Sequence, residues 1–160
     1  GIGRYVTYNE RSLEKEEFRV WLQDVYDIKA GKFKFENRFR AEKSWFYNVI
    51  EDEHSDRIRL RYRLSASVPL NADKVATGTL SAMVYDETFF VATDSPFFAR
   101  NRLFGGFSYQ IDDYFALTSG YLWQREFADS GNKNIHFLYL GLSLDIERTK
   151  SDKRDLPNLD

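Results

Sequence analysis

A strictly alternating run occupies residues 57–64 and reads Arg57-Ile58-Arg59-Leu60-Arg61-Tyr62-Arg63-Leu64. Successive side chains of a β-strand point to opposite faces, so this run places four cations on one face and four apolar groups on the other. Four like charges along one strand face need acidic partners beside them, and the flanking segments supply Glu36, Glu42 and Glu87 at matching positions. The pattern predicts a two-faced strand whose charged face is buried among partners.

Seven further segments alternate in the same way, and turn-forming residues separate them. The eight predicted strands lie at residues 3–9, 16–28, 32–46, 56–69, 76–92, 97–111, 114–128 and 133–148. Tight connections at 28–31 and 111–114 contrast with a long acidic connection from Phe46 to Asp56, which predicts short turns on one rim and longer loops on the other.

The fold predicted from these strands is all-β, an antiparallel up-and-down transmembrane β-barrel of about eight strands. It is either complete or the C-terminal part of a larger barrel. Residues 1–148 are assigned to this single domain, and residues 149–160 to a charged tail that hangs in the periplasm.

The charged face is predicted to form a network of ion pairs in the lumen of the barrel. Arginine predominates there, because its planar fork of donors can bridge two carboxylates in a crowded interior. The network consists of Glu17, Arg19, Glu36, Arg38, Arg40, Glu42, Arg57, Arg59, Arg61, Arg63, Glu87, Arg100 and Arg102. Small residues on the same face, such as Gly106 and Gly120, leave room for long side chains to cross a narrow lumen. Mutual pairing is then expected to plug that lumen.

Composition excludes several classes of function. A net charge of −2, with basic residues spread along the chain, gives no electrostatic attraction to nucleic acid. The absence of cysteine excludes disulfides, thiolate catalysis and cysteine-based zinc sites. No run of 18 apolar residues exists, which excludes a membrane-spanning helix, whereas the alternating strands of a spanning barrel keep a polar average such as the mean hydropathy of −0.55. The start at Gly1, without an initiator methionine, indicates a processed or partial product.

Only two histidines are present, which limits acid–base and metal chemistry. His54 lies in the acidic segment 51–56, which could hold a divalent cation but lacks the spaced ligands and turn glycine of an EF-hand. His136 lies on the outer face near a strand end, where a lipid hydrolase would need a serine, and none is its neighbour in sequence. We therefore expect no catalytic residue, no metal and no cofactor, with a lipid-modifying enzyme as the alternative.

The alternation is also compatible with two different kinds of barrel. A soluble lipocalin-like barrel would turn the apolar face inward around a ligand, although the chain lacks the Gly-x-Trp pattern of lipocalins near its start. A small anion-selective pore would use the arginines as its lining, provided that the lumen is wide enough to conduct.

Six segments in this order resemble the DUF2490 family of uncharacterised outer-membrane barrels. They are Glu17-Phe18-Arg19-Val20-Trp21-Leu22-Gln23, Glu36-Asn37-Arg38-Phe39-Arg40-Ala41-Glu42, Arg59-Leu60-Arg61-Tyr62-Arg63-Leu64, Tyr85-Asp86-Glu87, Arg100-Asn101-Arg102-Leu103 with Gly105-Gly106, and Gly120-Tyr121-Leu122. The resemblance runs from about residue 3 to residue 146.

The resemblance implies a Gram-negative outer-membrane β-barrel, of a kind common in Bacteroidetes and Proteobacteria, with no assigned activity. Family members usually have further strands upstream of the segment at Glu17, so this chain would be a shortened version or lack an N-terminal part. The expected role is a structural or accessory component of the outer membrane. Its expected contacts are outer-membrane lipid and, if it is a subunit of a larger complex, other outer-membrane proteins.

Overall fold

The computed structural model describes residues 1–9, 12–93 and 95–144, and all its regular structure is β. The strands are β1 (Ile2–Asn9), β2 (Ser12–Ala30), β3 (Phe33–Asn48), β4 (Glu53–Pro69), β5 (Leu80–Val91), β6 (Phe98–Gln110), β7 (Phe115–Glu126) and β8 (Lys133–Leu144). Within the described ranges, no helix is long and apolar enough to cross a membrane. The predicted residues 145–148 of the last strand and the predicted tail at 149–160 lie outside the described residues.

The strands follow one another in sequence order across a single sheet, and each is antiparallel to the next. The prediction of an all-β, antiparallel, up-and-down fold of eight strands is confirmed. Two strand starts shift by four residues: β2 begins at Ser12 instead of residue 16, and β5 begins at Leu80 instead of residue 76. The second shift delays the start of its strand. The Asn71 side chain explains this shift, because it accepts a hydrogen bond from the Leu80 amide at 2.8 Å and donates to the Gly78 carbonyl at 3.0 Å. These bonds hold residues 70–79 as a loop.

The sheet curls into a half-barrel, an architecture consistent with a β-barrel. In the part of the chain that the structure describes, β1 and β8 form the two edges and do not pair with each other. The first strand is short and begins beside the middle of β2, where Ile2 pairs with Val20. The second half of β2 therefore also lies at an edge of the sheet.

The predicted contrast between short and long rims is wrong. The acidic connection shrinks to residues 49–52, because β3 and β4 continue pairing as far as Asn48 and Glu53. Stacking of Tyr47 on His54, with ring centroids 4.7 Å apart, supports this extension. The longest connection, 70–79, lies on the same rim as the two-residue turn between β2 and β3. The sequence predicted a loop at this place because the extended hairpin carries polar residues on both of its faces.

Two contacts fasten the long connection to its neighbours on that rim. Asp73 pairs with Lys32 of the β2–β3 turn at 2.6 Å, and Thr77 donates to Asp113 of the β6–β7 turn at 2.9 Å. The hydrogen bond and the positive charge of Lys32 lower the pKa of the Asp73 carboxyl. Because both partners are exposed, this pair orders the loop more than it stabilises the fold.

The two faces of the sheet differ sharply in polarity. On the concave side, Glu42 and Glu87 are each only 3% exposed. On the convex side, Leu22 is 80% exposed and Leu138 is 92% exposed. The charged face is therefore the buried one, and the apolar face is open to the surroundings. This orientation is the reverse of a lipocalin-like barrel, which buries its apolar face.

A ring of the concave side, Phe104, is the most buried large side chain at 1% exposed. It stacks on Tyr85 at 5.0 Å between centroids and meets the edge of Tyr139 at 5.5 Å. Two opposed glycines, Gly106 and Gly120, leave the space for this ring. An added Cβ at Gly120 would lie 2.6 Å from the phenyl carbon Cζ.

Replacing Gly120 by alanine is expected to lower the free energy of unfolding by about 1–3 kcal/mol, because the methyl group collides with the backbone carbonyl oxygen of Gly105 and with the ring of Phe104. Urea unfolding of the purified protein in detergent micelles measures this change. The matched control is Gly105→Ala in β6, where an added Cβ meets no atom within 4 Å and a change of at most about 0.5 kcal/mol is expected. Equal losses in the two variants would contradict this account of the glycine.

Candidate functional site

The candidate site is the charged wall, the concave face defined by the thirteen residues predicted as an ion-pair network. Alternation puts these side chains on one side of their strands, and the pairing register aligns the strands. Arg61 of β4 lies directly opposite Arg40 of β3, while Arg59 lies opposite Glu42. Because like charges directly opposite each other repel, the fold needs carboxylates that guanidinium groups can reach diagonally.

Glu42 is the first such carboxylate. Its Oε2 accepts a hydrogen bond from Arg59 Nε at 2.8 Å, and its Oε1 accepts one from Arg61 Nη1 at 2.9 Å. Arg40 stands 3.7 Å from the same Oε1. Three arginines thus surround one buried carboxylate, which satisfies Glu42 but leaves the cluster positive.

Glu87 is the second such carboxylate, and it lies on β5. Its Oε1 accepts hydrogen bonds from Arg61 Nη2 at 2.8 Å and from Arg38. Arg102 lies 3.8 Å from its other oxygen. Arg61 therefore bridges Glu42 and Glu87 with the two ends of one guanidinium group. Charge-assisted hydrogen bonds of this kind are about twice as strong as those between neutral groups.

An aromatic ring, Phe89, lies beneath the arginines and is only 3% exposed. Four guanidinium carbons lie within 6 Å of its centroid. They belong to Arg61 at 4.5 Å, Arg102 at 4.9 Å, Arg100 at 5.4 Å and Arg59 at 5.9 Å. The attraction between a cation and the face of a ring helps to hold these positive groups close together. The position of Phe89 two residues after Glu87 was the sequence signal that would have placed it on the charged wall.

The remaining predicted glutamates each hold one arginine near the margins of the wall. Glu17 accepts from Arg19 at 2.8 Å, and Glu36 pairs with Arg63 at 2.6 Å. On the far side, Arg100 pairs at 2.6 Å with Glu126 of β7, a residue outside the predicted network.

Gln124, which is 4% exposed, extends the network without charge. It accepts from Arg102 at 2.6 Å and donates to Glu126 at 2.8 Å. Sequence reasoning missed this residue because a single glutamine carries no distinctive pattern.

Arg57 differs from the other predicted arginines. Among the residues that the structure describes, no carboxylate pairs with it, and its guanidinium carbon lies 4.8 Å from the centroid of Phe46. The same ring has Lys15 Nζ at 4.4 Å. The structure therefore places Arg57 at the end of the wall nearest the β3–β4 turn, apart from Glu42 and Glu87.

The ion pairs of the wall run along the sheet, not across the space that it encloses. In the described part of the chain, each pair joins residues on the same, neighbouring or next-but-one strands, and Arg38 of β3 with Glu87 of β5 spans the widest step. The plugging of a closed lumen by these side chains stays a prediction, because the structure describes a half-barrel. A half-barrel is too open for such contacts, whereas its adjacent strands are about 4.8 Å apart and within reach.

A cavity of about 260 Å³ lies at the other end of the concave side. Its lining includes Lys34, Glu36, Arg63, Thr118 and Tyr139. The lining also contains Ser65 and Ser67, which lie opposite Glu36 and Lys34 in the pairing register.

The two histidines lie outside the charged wall. His54 belongs to β4 and stacks on Tyr47, and no group of three or more His, Asp or Glu side chains suited to a metal is found within the described ranges. His136 Nδ1 shares a hydrogen bond with the hydroxyl of Tyr121 on the convex face. The partner of this histidine is thus a phenol and not a serine.

The family model described as a protein of unknown function, DUF2490, matches residues 1–135. No curated protein matches the chain, and no solved structure matches it. The match covers most of the chain and includes seven of the eight strands in full. The chain therefore belongs to the DUF2490 family of proteins of unknown function.

Proposed function

We propose that this chain is an outer-membrane β-barrel protein whose convex face meets lipid and whose charged wall faces the lumen. Its role is structural or accessory, without a catalytic site. The single observation that carries the proposal is the exposure of large apolar side chains on the convex face. Leu138, Leu140, Leu142 and Leu144 of β8 are between 54% and 92% exposed. A continuous apolar patch of this kind is characteristic of a surface that meets membrane or another protein.

The slope of the apolar face supports the same proposal. Outward apolar residues of β2 run from Phe18 to Ile28, whereas those of β8 run from Leu138 to Leu144. Following the pairing register across the sheet places Leu138 level with Ile28, so the run of β8 starts where that of β2 ends. The apolar runs of the successive strands form a sloping band. Its centre shifts along the strand direction by about eight residues between β2 and β8, which are six strand positions apart. At about 3.3 Å per residue and about 4.8 Å per strand this slope is about 40°, within the tilt of strands in membrane barrels.

Two acidic side chains, Asp24 and Asp86, interrupt the band. Asp86 accepts two hydrogen bonds from the Asn101 side chain, at 3.0 and 3.1 Å, on the exposed convex face. Acidic side chains cost less than basic ones on the lipid face of a barrel, although they remain unfavourable there. This patch is where another outer-membrane protein would make contact if the chain is a subunit of a larger complex.

A small anion-selective pore is the second candidate, and the open lumen favours it. The charged wall holds nine arginines against four glutamates, and Glu126 adds a fifth carboxylate. A lining with excess positive charge attracts anions. Because the ion pairs lie along the wall, they leave the enclosed space open once the barrel is completed.

Fractionation tests the membrane proposal directly. Cells that export the protein are expected to yield it in the outer-membrane fraction, and its extraction should require detergent. A monomeric protein in plain buffer would overturn the proposal. Single-channel recordings in planar bilayers then separate a silent structural barrel from a pore, whose reversal potential should indicate anion selectivity.

A further inference from the structure

The end of the charged wall near the β3–β4 turn carries cations that the ion-pair network does not use. We define the rim site as Lys15, Arg19, Ser44, Phe46 and Arg57. Lys15 of β2 and Arg57 of β4 both contact the ring of Phe46 on β3, which is 9% exposed. In the described residues neither cation has a carboxylate partner.

Ser44 lies between the two arginines of the rim site. In the pairing register it is opposite Arg19 on one side and Arg57 on the other. Ser44 is only 3% exposed, and its hydroxyl makes no hydrogen bond to any described residue. Alternation turns this hydroxyl toward the concave side, together with Glu42 and Phe46. Because this hydroxyl has no partner among the described residues, a ligand that bonds to it gains an interaction that the protein alone does not make.

Arg19 does not use all its hydrogen-bond donors in its ion pair. It directs Nε and Nη2 to a single oxygen of Glu17, at 2.8 and 2.7 Å. Its other terminal nitrogen, Nη1, is not used in that pair. The rim site therefore combines two guanidinium groups, an ammonium group and a hydroxyl as donors, and two carboxylates lie nearby on the same face, Glu17 and Glu53.

We propose that the rim site binds a phosphoryl group. The three cations outnumber the carboxylates near them, Glu17 and Glu53, and this excess of positive charge attracts a phosphate monoester, which carries about −1.5 to −2 at pH 7. Guanidinium groups suit phosphate oxygens because their donors are planar and paired. Contact with the Phe46 ring helps to hold Lys15 and Arg57 near each other. The ligand is either free phosphate in the lumen or the phosphate of a lipid headgroup.

Titration of the purified protein in detergent micelles with inorganic phosphate, followed by calorimetry at low ionic strength, tests the site. Arg57→Gln is expected to weaken binding about tenfold or more, which is the effect of losing one charge-assisted hydrogen bond. Ser44→Ala is expected to weaken it by a smaller factor. The matched control, Arg4→Gln, removes an arginine of the convex face that pairs with Glu16 at 2.8 Å, and it should leave the affinity unchanged.

A second arm distinguishes the two sources of phosphate. The same proteins are mixed with phosphatidylcholine vesicles that contain or lack phosphatidic acid, whose headgroup is a phosphate monoester. Binding only to the vesicles with phosphatidic acid, and lost in Arg57→Gln, would assign the site to a lipid headgroup. Binding of inorganic phosphate with the same loss would assign it to a free anion.

Lys15→Gln separates a loss of binding from a folding defect, because Lys15 is exposed and its replacement disturbs no buried pair. It should also weaken binding while the circular dichroism spectrum stays unchanged. Absence of binding to both probes, or equal affinities of Arg57→Gln and Arg4→Gln, would overturn the proposal. The outcome is independent of the membrane proposal, since the rim site lies on the concave face and the titration does not require insertion into a bilayer.

Discussion

Replacing Glu42 by glutamine is expected to lower the free energy of unfolding by about 3–5 kcal/mol. The variant keeps the shape of the side chain but removes the charge that Arg59 and Arg61 share. Both arginines are more than four-fifths buried. Arg61 would keep only Glu87, and Arg59 would have no carboxylate partner among the described residues. Urea unfolding in micelles, monitored by tryptophan fluorescence, measures the loss.

The matched control is Glu16→Gln, which also removes one carboxylate from a pair with an arginine. Arg4 and Glu16 lie on the convex face with side chains 68% and 30% exposed, so their pair is worth at most about 1 kcal/mol. If the two variants lose equal stability, Glu42 does not organise the charged wall. A larger loss for Glu42 than for Glu16 identifies it as a centre of the ion-pair network.

Replacing Leu140 by arginine is expected to cost about 2–4 kcal/mol for folding into lipid vesicles, because Leu140 lies near the middle of the apolar run of β8. The side chain is 74% exposed, so no protein contact accounts for a cost of this size. Refolding from urea into vesicles of defined lipid measures the difference.

Asn134→Arg provides the control for that substitution. Asn134 lies on the same strand and the same face as Leu140 but outside the apolar run, so a change of at most about 1 kcal/mol is expected. In a protein whose convex face meets water, both substitutions would instead be nearly neutral. Equal effects at the two positions would therefore contradict the lipid-facing assignment.

Much of the charged wall could be predicted because alternation is a local property of the chain. Each predicted arginine and glutamate of the network lies on the concave side of its strand, as the parity of Glu42 and Arg61 illustrates. The specific partners could not be predicted in the same way. Arg38 reaches Glu87 two strands away, and that contact depends on the register of two successive hairpins and on the curvature of the sheet.

The residues of the charged wall that the sequence did not predict were missed for a common physical reason. Phe89 and Ser44 are an apolar and a small residue on a face that was recognised by its charges, so their alternation drew no attention. Their roles arise only from what surrounds them: guanidinium groups above Phe89, and two arginines beside Ser44. Gln124 gains its role in the same way, from Arg102 on the neighbouring strand.

The amino-acid order alone determined the eight strands, their antiparallel succession and the polarity of each face, because these depend on side-chain alternation and on nearby turn residues. The direction of curvature, the open edges at β1 and β8, and the course of ion pairs along the wall emerged only once the sheet was assembled. Curvature and pairing distances are collective properties of several strands, set by twist and register, and no single segment encodes them. For the same reason, Arg57 could be recognised as a cation without a carboxylate only after every neighbouring strand was in place.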